Sequence, residues 1–413
     1  MASEVGLQSG PGGLSPMVRP GAMAAPFDSS AGYAPVSRSA GYSHQEILRA
    51  QTMAALVVGV WGIMFFGPGA ASVLTVALVS AIASDSIIGM VIRRPVVGGL
   101  WHASVTGLLL GLTLPATAHW YIPMTGSVVA ICAKTIFGGM GHYICHPALV
   151  GRVFVQVFFN SALTLSGPVV PEAVLTRWHV FVGNLSDAKT IPLASYEGWS
   201  EVHRSFGAQA IQLDRPVRRL RDFADGDIKP DKPDGSLRYT PLMRDYLPPW
   251  EDTVLGAVPG GIGETSTLAL VVAGLYLVYR GYLRWQLPVS ILLGAFCAAA
   301  IFPIQGGEPG GHFHWLPILA AENGKPTGLA YVLYHLTSGQ LMLGAFLLAG
   351  DMTVSPKRAR GQIFFGAAIG VLTIFMRLYG LLDGECYWSI LILNFFVPFI
   401  DRRMTRPILG IDE

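Results

Sequence analysis

Ten long apolar stretches, most separated by short polar breaks, limit what this chain can fold into. They run roughly over 50–67, 70–92, 97–115, 120–138, 147–166, 257–279, 287–304, 327–350, 361–380 and 386–401. A backbone surrounded by lipid finds no water to bond to, so it must satisfy its own N–H and C=O groups, and a helix does this within one segment. About 20 apolar residues reach across the hydrocarbon core. Composition agrees: 52% hydrophobic and only 13% charged residues describe a polytopic membrane protein. The predicted fold is therefore an all-α membrane protein of about ten transmembrane helices. Five precede and five follow one long polar stretch, and an odd number per half permits an inverted repeat of five plus five.

Positive charge orients the spans. With the N-terminus in the cytoplasm, the inner side receives Arg93-Arg94, then Arg152 near His142 and His146, then Arg280 and Arg284, Lys357-Arg358-Ala359-Arg360, and Arg402, Arg403 and Arg406. The outer connections 67–69 and 115–119 carry no Lys or Arg. This predicts a multi-pass protein of the inner (cytoplasmic) membrane with both termini cytoplasmic. The expected organisation is a disordered cytoplasmic tail (1–45), a first membrane half (46–166), an extracytoplasmic insertion (167–253), a second membrane half (254–403) and a cytoplasmic tail (404–413). The tail 1–45 is rich in Gly, Ser, Ala and Pro without periodicity. No secretory signal is evident, since the first apolar run begins near Thr52. The polar stretch 166–253 holds 24 of the 54 charged residues. Its Arg215–Arg221 cluster sits beside Asp222, Asp225 and Asp227, the pattern of a solvated, self-neutralised face. Trp178, Trp199 and Trp250 are its candidate anchors.

Two glycine-rich segments stand at membrane depth: Phe137-Gly138-Gly139-Met140-Gly141, leading to His146-Pro147-Ala148, and Gly260-Gly261-Ile262-Gly263-Glu264-Thr265-Ser266. Glycines here let backbone approach backbone, or a flat ligand, closely. The carboxylate of Glu264 beside them is costly in lipid, which marks a functional site. Gly261, Gly263, Glu264, Thr265 and Ser266 are thus candidate cofactor-binding residues; the plainer alternative is a helix-capping cluster. Asp85, Lys134 and Asp351 are candidates for an ion path. Lys134 and Asp351 fall near predicted inner ends, where snorkelling or capping is cheap. His102, His142, His146 and His335 lack the facing-partner pattern of a haem or metal centre. Cys132, Cys145, Cys297 and Cys386 form no metal-ligand spacing and read as small buried hydrophobes. No Gly-x-Gly-x-x-Gly, Walker A, Ser-His-Asp or His-Glu-x-x-His pattern is present, so no complete active site is predicted within the chain.

Taken together, four stretches resemble the family of the D subunit of Rnf complexes and the B subunit of Nqr-type NADH:quinone oxidoreductases. One is Gly107–Pro115 with Lys134–Gly141 and His146–Arg152. The second is Gly260–Leu270. The third is His335–Phe346, ending Gly350-Asp351. The fourth is Arg377–Gly380 with Ile390–Asn394 and Pro398–Asp401. The resemblance implies a membrane subunit of an ion-coupled electron-transport complex, with other membrane and peripheral subunits as partners, in a lipid bilayer and without nucleic acid. It implies FMN joined through its phosphate to a threonine in an Asp-x-x-Ser-Gly-Ala-Thr motif, a second noncovalent flavin (riboflavin or FMN), and a ten-helix inverted repeat similar to urea and ammonium transporters. Here Asp234-Gly-Ser-Leu-Arg-Tyr-Thr240 keeps the Asp, the Thr and their spacing, and makes Thr240 the candidate attachment site. Leu237, Arg238 and Tyr239 stand where the family has small residues, and His146 where it has Asn. The alternatives are a flavin-free structural or ion-conducting subunit of a related complex, or a free-standing solute channel on the same fold.

Overall fold

The computed structural model describes residues 44–92, 99–137, 143–165, 215–225, 239, 242–243, 247–248, 250–256, 258–305, 313–322, 324–380 and 383–404. The tail 1–43, Arg93-Arg94, the run 138–142, most of the polar insertion and Thr240 lie outside the described residues.

The described residues are mostly helical. In the first half come α1 (His44–Phe66), α2 (Pro68–Ile92), α3 (Gly99–Leu112), α4 (Tyr121–Ile136), α5 (Pro147–Phe158) and the short α6 (Asn160–Leu165). The insertion contributes α7 (Pro216–Ala224) and α8 (Trp250–Leu255). The second half holds α9 (Thr267–Tyr279), α10 (Gln286–Ile301), α11 (Thr327–Thr337), α12 (Leu341–Leu343, continued by a π-helical turn Gly344–Leu348), α13 (Ala359–Tyr379) and α14 (Glu385–Met404). Between α10 and α11 a two-residue hairpin pairs β1 (Ile304–Gln305) antiparallel with β2 (Phe313–His314).

Gln45–Phe66, Pro68–Ile92 and Ala359–Tyr379 are long and apolar enough to cross a membrane singly. Helices α3, α4, α5, α9 and α10 are apolar but shorter. The stretch 327–350, expected as one span, is broken: α11 and α12 meet at 56°. Gly339 adopts φ +72, a left-handed conformation that ends α11. The break frees carbonyls at membrane depth, and two distant side chains satisfy them. Arg377 of α13 donates Nη1 to the His335 carbonyl (2.6 Å) and Nη2 to that of Ser338 (3.3 Å). Thr267 Oγ1, at the start of α9, donates to the Thr337 carbonyl (2.9 Å).

Small residues bring the helices together, as expected where lipid offers no hydrophobic driving force. A Cβ added at Gly370 would strike the Ile291 carbonyl, and one at Gly366 would strike Ser290 and Leu287, so α10 and α13 lie almost backbone on backbone. Gly294 meets Ala367 across the same seam. In the first half Gly151 of α5 abuts Gly126 of α4, and Gly107 of α3 abuts Ala77 of α2. Ser127 Oγ ties α4 to the Ala77 carbonyl at 2.9 Å. The outward faces remain apolar, with Val57, Val60, Met64, Val79, Leu293 and Phe364 exposed, as a lipid-facing surface should be. Of the cysteines, Cys145 and Cys386 are buried as anticipated, but Cys132 is only half-buried and Cys297 is exposed on this outer face of α10.

Candidate functional site

The segment 258–266 is clamped rather than open. Ile262 N donates to the Leu114 carbonyl (2.9 Å) and Gly263 N to that of Leu112 (2.8 Å), so the loop caps the end of α3. A Cβ at Gly263 would collide with Leu112, and one at Gly261 with the Glu264 side chain. The glycines therefore serve close packing of protein on protein, the first of the two uses their clustering suggested. Ser266 is the N-cap of α9, its hydroxyl accepting from Ala269 N (3.1 Å).

Glu264 has a different task. It is 2% exposed. Its Oε2 accepts the Gly261 N–H (3.1 Å) and its Oε1 accepts the Tyr387 hydroxyl of α14 (2.5 Å). The Arg152 guanidinium lies 5.7 Å from the centre of the Tyr387 ring. Arg152 is buried too. Its Nε donates to the Thr113 carbonyl (3.2 Å) and its Nη1 to Gln156 Oε1 (2.9 Å), while Gln156 Nε2 donates to the Asp383 carbonyl (2.7 Å). Arg152, Tyr387 and Glu264 thus form a buried cation–aromatic–anion stack joining α5, α14 and the glycine loop.

Arg152 and Glu264 of this stack line a cleft of about 110 Å³. Arg152, Arg218, Arg221, Glu264, Gln340 and Glu385 line it, together with Thr265 and Gly260. The break at Gly339-Gln340 opens onto it, and α7 forms one wall. Arg221 fixes α7 against the membrane half, its Nε donating to the Arg377 carbonyl (3.2 Å). Behind the cleft several buried polar atoms have no partner among the described residues: Gln340 Oε1, Ser338 Oγ, His335 Nε2, Tyr331 Oη and Arg377 Nε. Glu385, 4% exposed, supplies the charge opposing Arg377. A cluster this rich in donors, with scattered acceptors, suits a group carrying several carbonyl or phosphate oxygens and at least one N–H.

Tyr239, the residue before Thr240, is placed beside the same wall. It is 3% exposed and packs on Phe223 of α7 (5.2 Å between ring centres) and Tyr331 of α11 (5.5 Å). Its backbone N–H donates to Glu322 Oε1 (2.6 Å). Burial, with the Glu322 carboxylate beside it, pushes the Tyr239 hydroxyl well above its ordinary range. Its ring is turned inward, so the bulk that departs from the family motif at this position is spent in the core.

The three ion-path candidates do not converge. Lys134 does not snorkel: its Nζ bonds Asp85 Oδ1 at 2.9 Å, with the two side chains 5% and 10% exposed, joining α4 to α2. Asp351 lies elsewhere, after the π turn, bonded by Tyr143 and Thr353 N. Arg152, Arg377, Tyr387 and Gln340 belong to the site although no sequence motif assigns them a role in it. The available signal was an arginine inside each of two apolar stretches, since an ionisable group at membrane depth marks a site.

The sequence profile of the NQR2, RnfD, RnfE family matches residues 34–410. The chain is 30% identical over 368 residues to the D subunit of the Na⁺-translocating ferredoxin:NAD⁺ oxidoreductase complex from Acetobacterium woodii, covering 89% of this chain and 88% of that one. It is likewise 30% identical over 374 residues to the D subunit of the proton-translocating ferredoxin:NAD⁺ oxidoreductase complex from Clostridium ljungdahlii (89% and 91%). To the D subunit of the ion-translocating oxidoreductase complex from Halorhodospira halophila it is 27% identical over 374 residues (88% and 91%).

Proposed function

The chain belongs to the NQR2, RnfD, RnfE family, and from that premise we propose that it is the D-type membrane subunit of an ion-translocating electron-transport complex, holding flavin and relaying electrons to and from its partner subunits. It sits in the inner membrane with both termini cytoplasmic, as about ten spans in two inverted halves. The pairing of helices supports the repeat: α2 packs on α4 and α4 on α5, as α10 packs on α13 and α13 on α14. Both halves also carry a buried histidine nine residues before a glycine, His102 with Gly111 and His335 with Gly344.

The observation that carries the flavin reading is the arginine-lined cleft with Gln340 Oε1, which has no partner among the described residues. Flavin has carbonyl oxygens and an N–H along one edge of its ring, and the donor set present fits it. Arg152 and Arg218 would hold acceptor oxygens, and Gln340 Oε1 and Glu264 would meet the N–H. Thr265 completes the rim, while Gly261, Gly263 and Ser266 shape the loop behind it. When bound, the flavin supplies the electron-accepting and electron-donating chemistry, and the protein supplies position and electrostatics. FMN attached at Thr240 is the covalent group, and the kept Asp234-to-Thr240 spacing supports it. A riboflavin or FMN in the cleft is the noncovalent one.

The test is in-gel flavin fluorescence of the denatured, purified subunit, with peptide mass mapping over 229–244. A fluorescent band carrying FMN on Thr240 is expected, and Thr240→Ala should abolish it while assembly survives. Covalent flavin retained in that variant sinks the attachment site. A dark wild-type band with no flavin in the supernatant leaves the flavin-free structural subunit as the reading.

A further inference from the structure

A second, smaller cavity lies at the other end of α5 from the cleft. Its polar lining is His102 and Thr106 of α3, Gln51 of α1, Tyr143 and His146 just before α5, and Asp351 after the π turn. Among the described residues the titratable groups facing it are two imidazoles, one phenol and one carboxylate. At about 20 Å³ it exceeds the roughly 10–15 Å³ that one water molecule needs.

The geometry calls for a bridging group. Asp351 accepts the Tyr143 hydroxyl at 2.8 Å on Oδ2 and the Thr353 N–H at 2.8 Å on Oδ1. His146 Nε2 stands 3.7 Å from Asp351 Oδ2, too far for a direct hydrogen bond, and one water lying beside the pair in the cavity can touch both. His146 is 4% exposed in its side chain, and its Nδ1 has no partner among the described residues. The His102 ring meets Tyr143 edge-on, 6.0 Å between centres. Of these titratable residues His102, Tyr143 and His146 are buried, and Asp351 reaches toward the surface, its side chain 18% exposed.

We propose that this cavity is a proton-holding site, in which His146 and Asp351 share one exchangeable proton through a water, loaded through the exposed edge of Asp351. As the ion-coupling site of the complex it rests on the function proposed above. With the carboxylate ionised and both imidazoles neutral, the cluster carries one negative charge. A proton cancels it without demanding further ligands. A hard metal cation takes about six or more oxygens, and here Tyr143 already points its hydrogen at the carboxylate while two of the facing groups are imidazoles. The donor set therefore favours a proton over Na⁺. The relatives named above include one of each kind.

The test is pH-difference infrared spectroscopy on the full-length chain in nanodiscs, in H₂O and D₂O, with NaCl exchanged for KCl at constant ionic strength. A protonated-carboxyl band is expected that grows as pH falls, shifts in D₂O and ignores the change of salt. It should vanish in Asp351→Asn. In His146→Asn its midpoint should fall by about 0.5–1 pH unit, because one of two bases sharing the proton is gone. Should Asp351→Asn not fold, Tyr143→Phe must move the midpoint instead. A band unaffected by His146→Asn, or one abolished by NaCl at fixed pH, overturns the proposal. A band that follows His146→Asn in a chain without flavin leaves this site standing and sinks the flavin reading; flavin present with an unresponsive band does the reverse.

Discussion

Arg377 is 0% exposed, yet it is the residue on which the broken span depends. Two carbonyls released by the break at Ser338–Gln340 end on its guanidinium. A planar fork can serve two acceptors at once, which an ammonium on a flexible stem does less well. Arg377→Met should leave both acceptors buried without a donor, at about 1–3 kcal/mol each. It should also remove one of the two arginine charges, Arg377 and Arg221, that act on Glu385. We expect thermal unfolding in detergent to move down sharply for Arg377→Met and by a smaller amount for Arg377→Lys. Equal unfolding temperatures for Arg377→Met and the parent would show that the break does not rely on this side chain. At this scale little was legible beforehand. Glu264 announces itself as a carboxylate among glycines, but its partner Tyr387 is 123 positions away and looks like any interfacial aromatic. Asp85 and Lys134 each invite a functional reading alone, whereas the pair is a mutual neutralisation whose two halves are 49 residues apart.

Among the described elements, the seam between α10 and α13 is the most extensive pairing, and three glycines line it. Glycine is a poor helix former, costing about 1 kcal/mol relative to alanine, so its presence along a helix face needs a packing reason. Gly370 has one, since the Ile291 carbonyl occupies the space of a Cβ. Gly370→Leu should force the helices apart and abolish recovery of monodisperse protein by size-exclusion chromatography. Gly324→Leu is strained by its positive φ, but meets nothing within 4 Å and should be recovered. Comparable recovery of both would refute the packing argument. Helix placement was legible because apolar runs and lipid leave the backbone one economical solution. The break was not, although Thr337-Ser338-Gly339-Gln340 contains its signal. Apolar residues on both sides conceal it, and its stability comes from α9 and α13, which no local pattern reports.

Across the whole molecule, the two halves are stitched together by polar and backbone contacts as well as apolar ones. The glycine loop of the second half bonds the end of α3, α1 packs on α9, and α5 packs on α14. A chain severed between residues 167 and 214 and co-expressed as two pieces should therefore reassemble, with a tagged second half retaining the first through detergent purification. Separate elution would mean that the covalent link, and not these contacts, holds the halves.

The position of α5 has an electrical consequence. Its N-cap, His146, borders the small cavity, and Gln156 borders the arginine cleft. Ten residues of helix separate them by about 15 Å, half the roughly 30 Å thickness of the hydrocarbon core. If water conducts to both recesses, the membrane voltage falls across this thin septum alone, and the local field is about doubled. A single charge carried from one recess to the other then exchanges nearly the full 2.3 kcal/mol or so per 100 mV while moving along little more than two and a half turns of one helix.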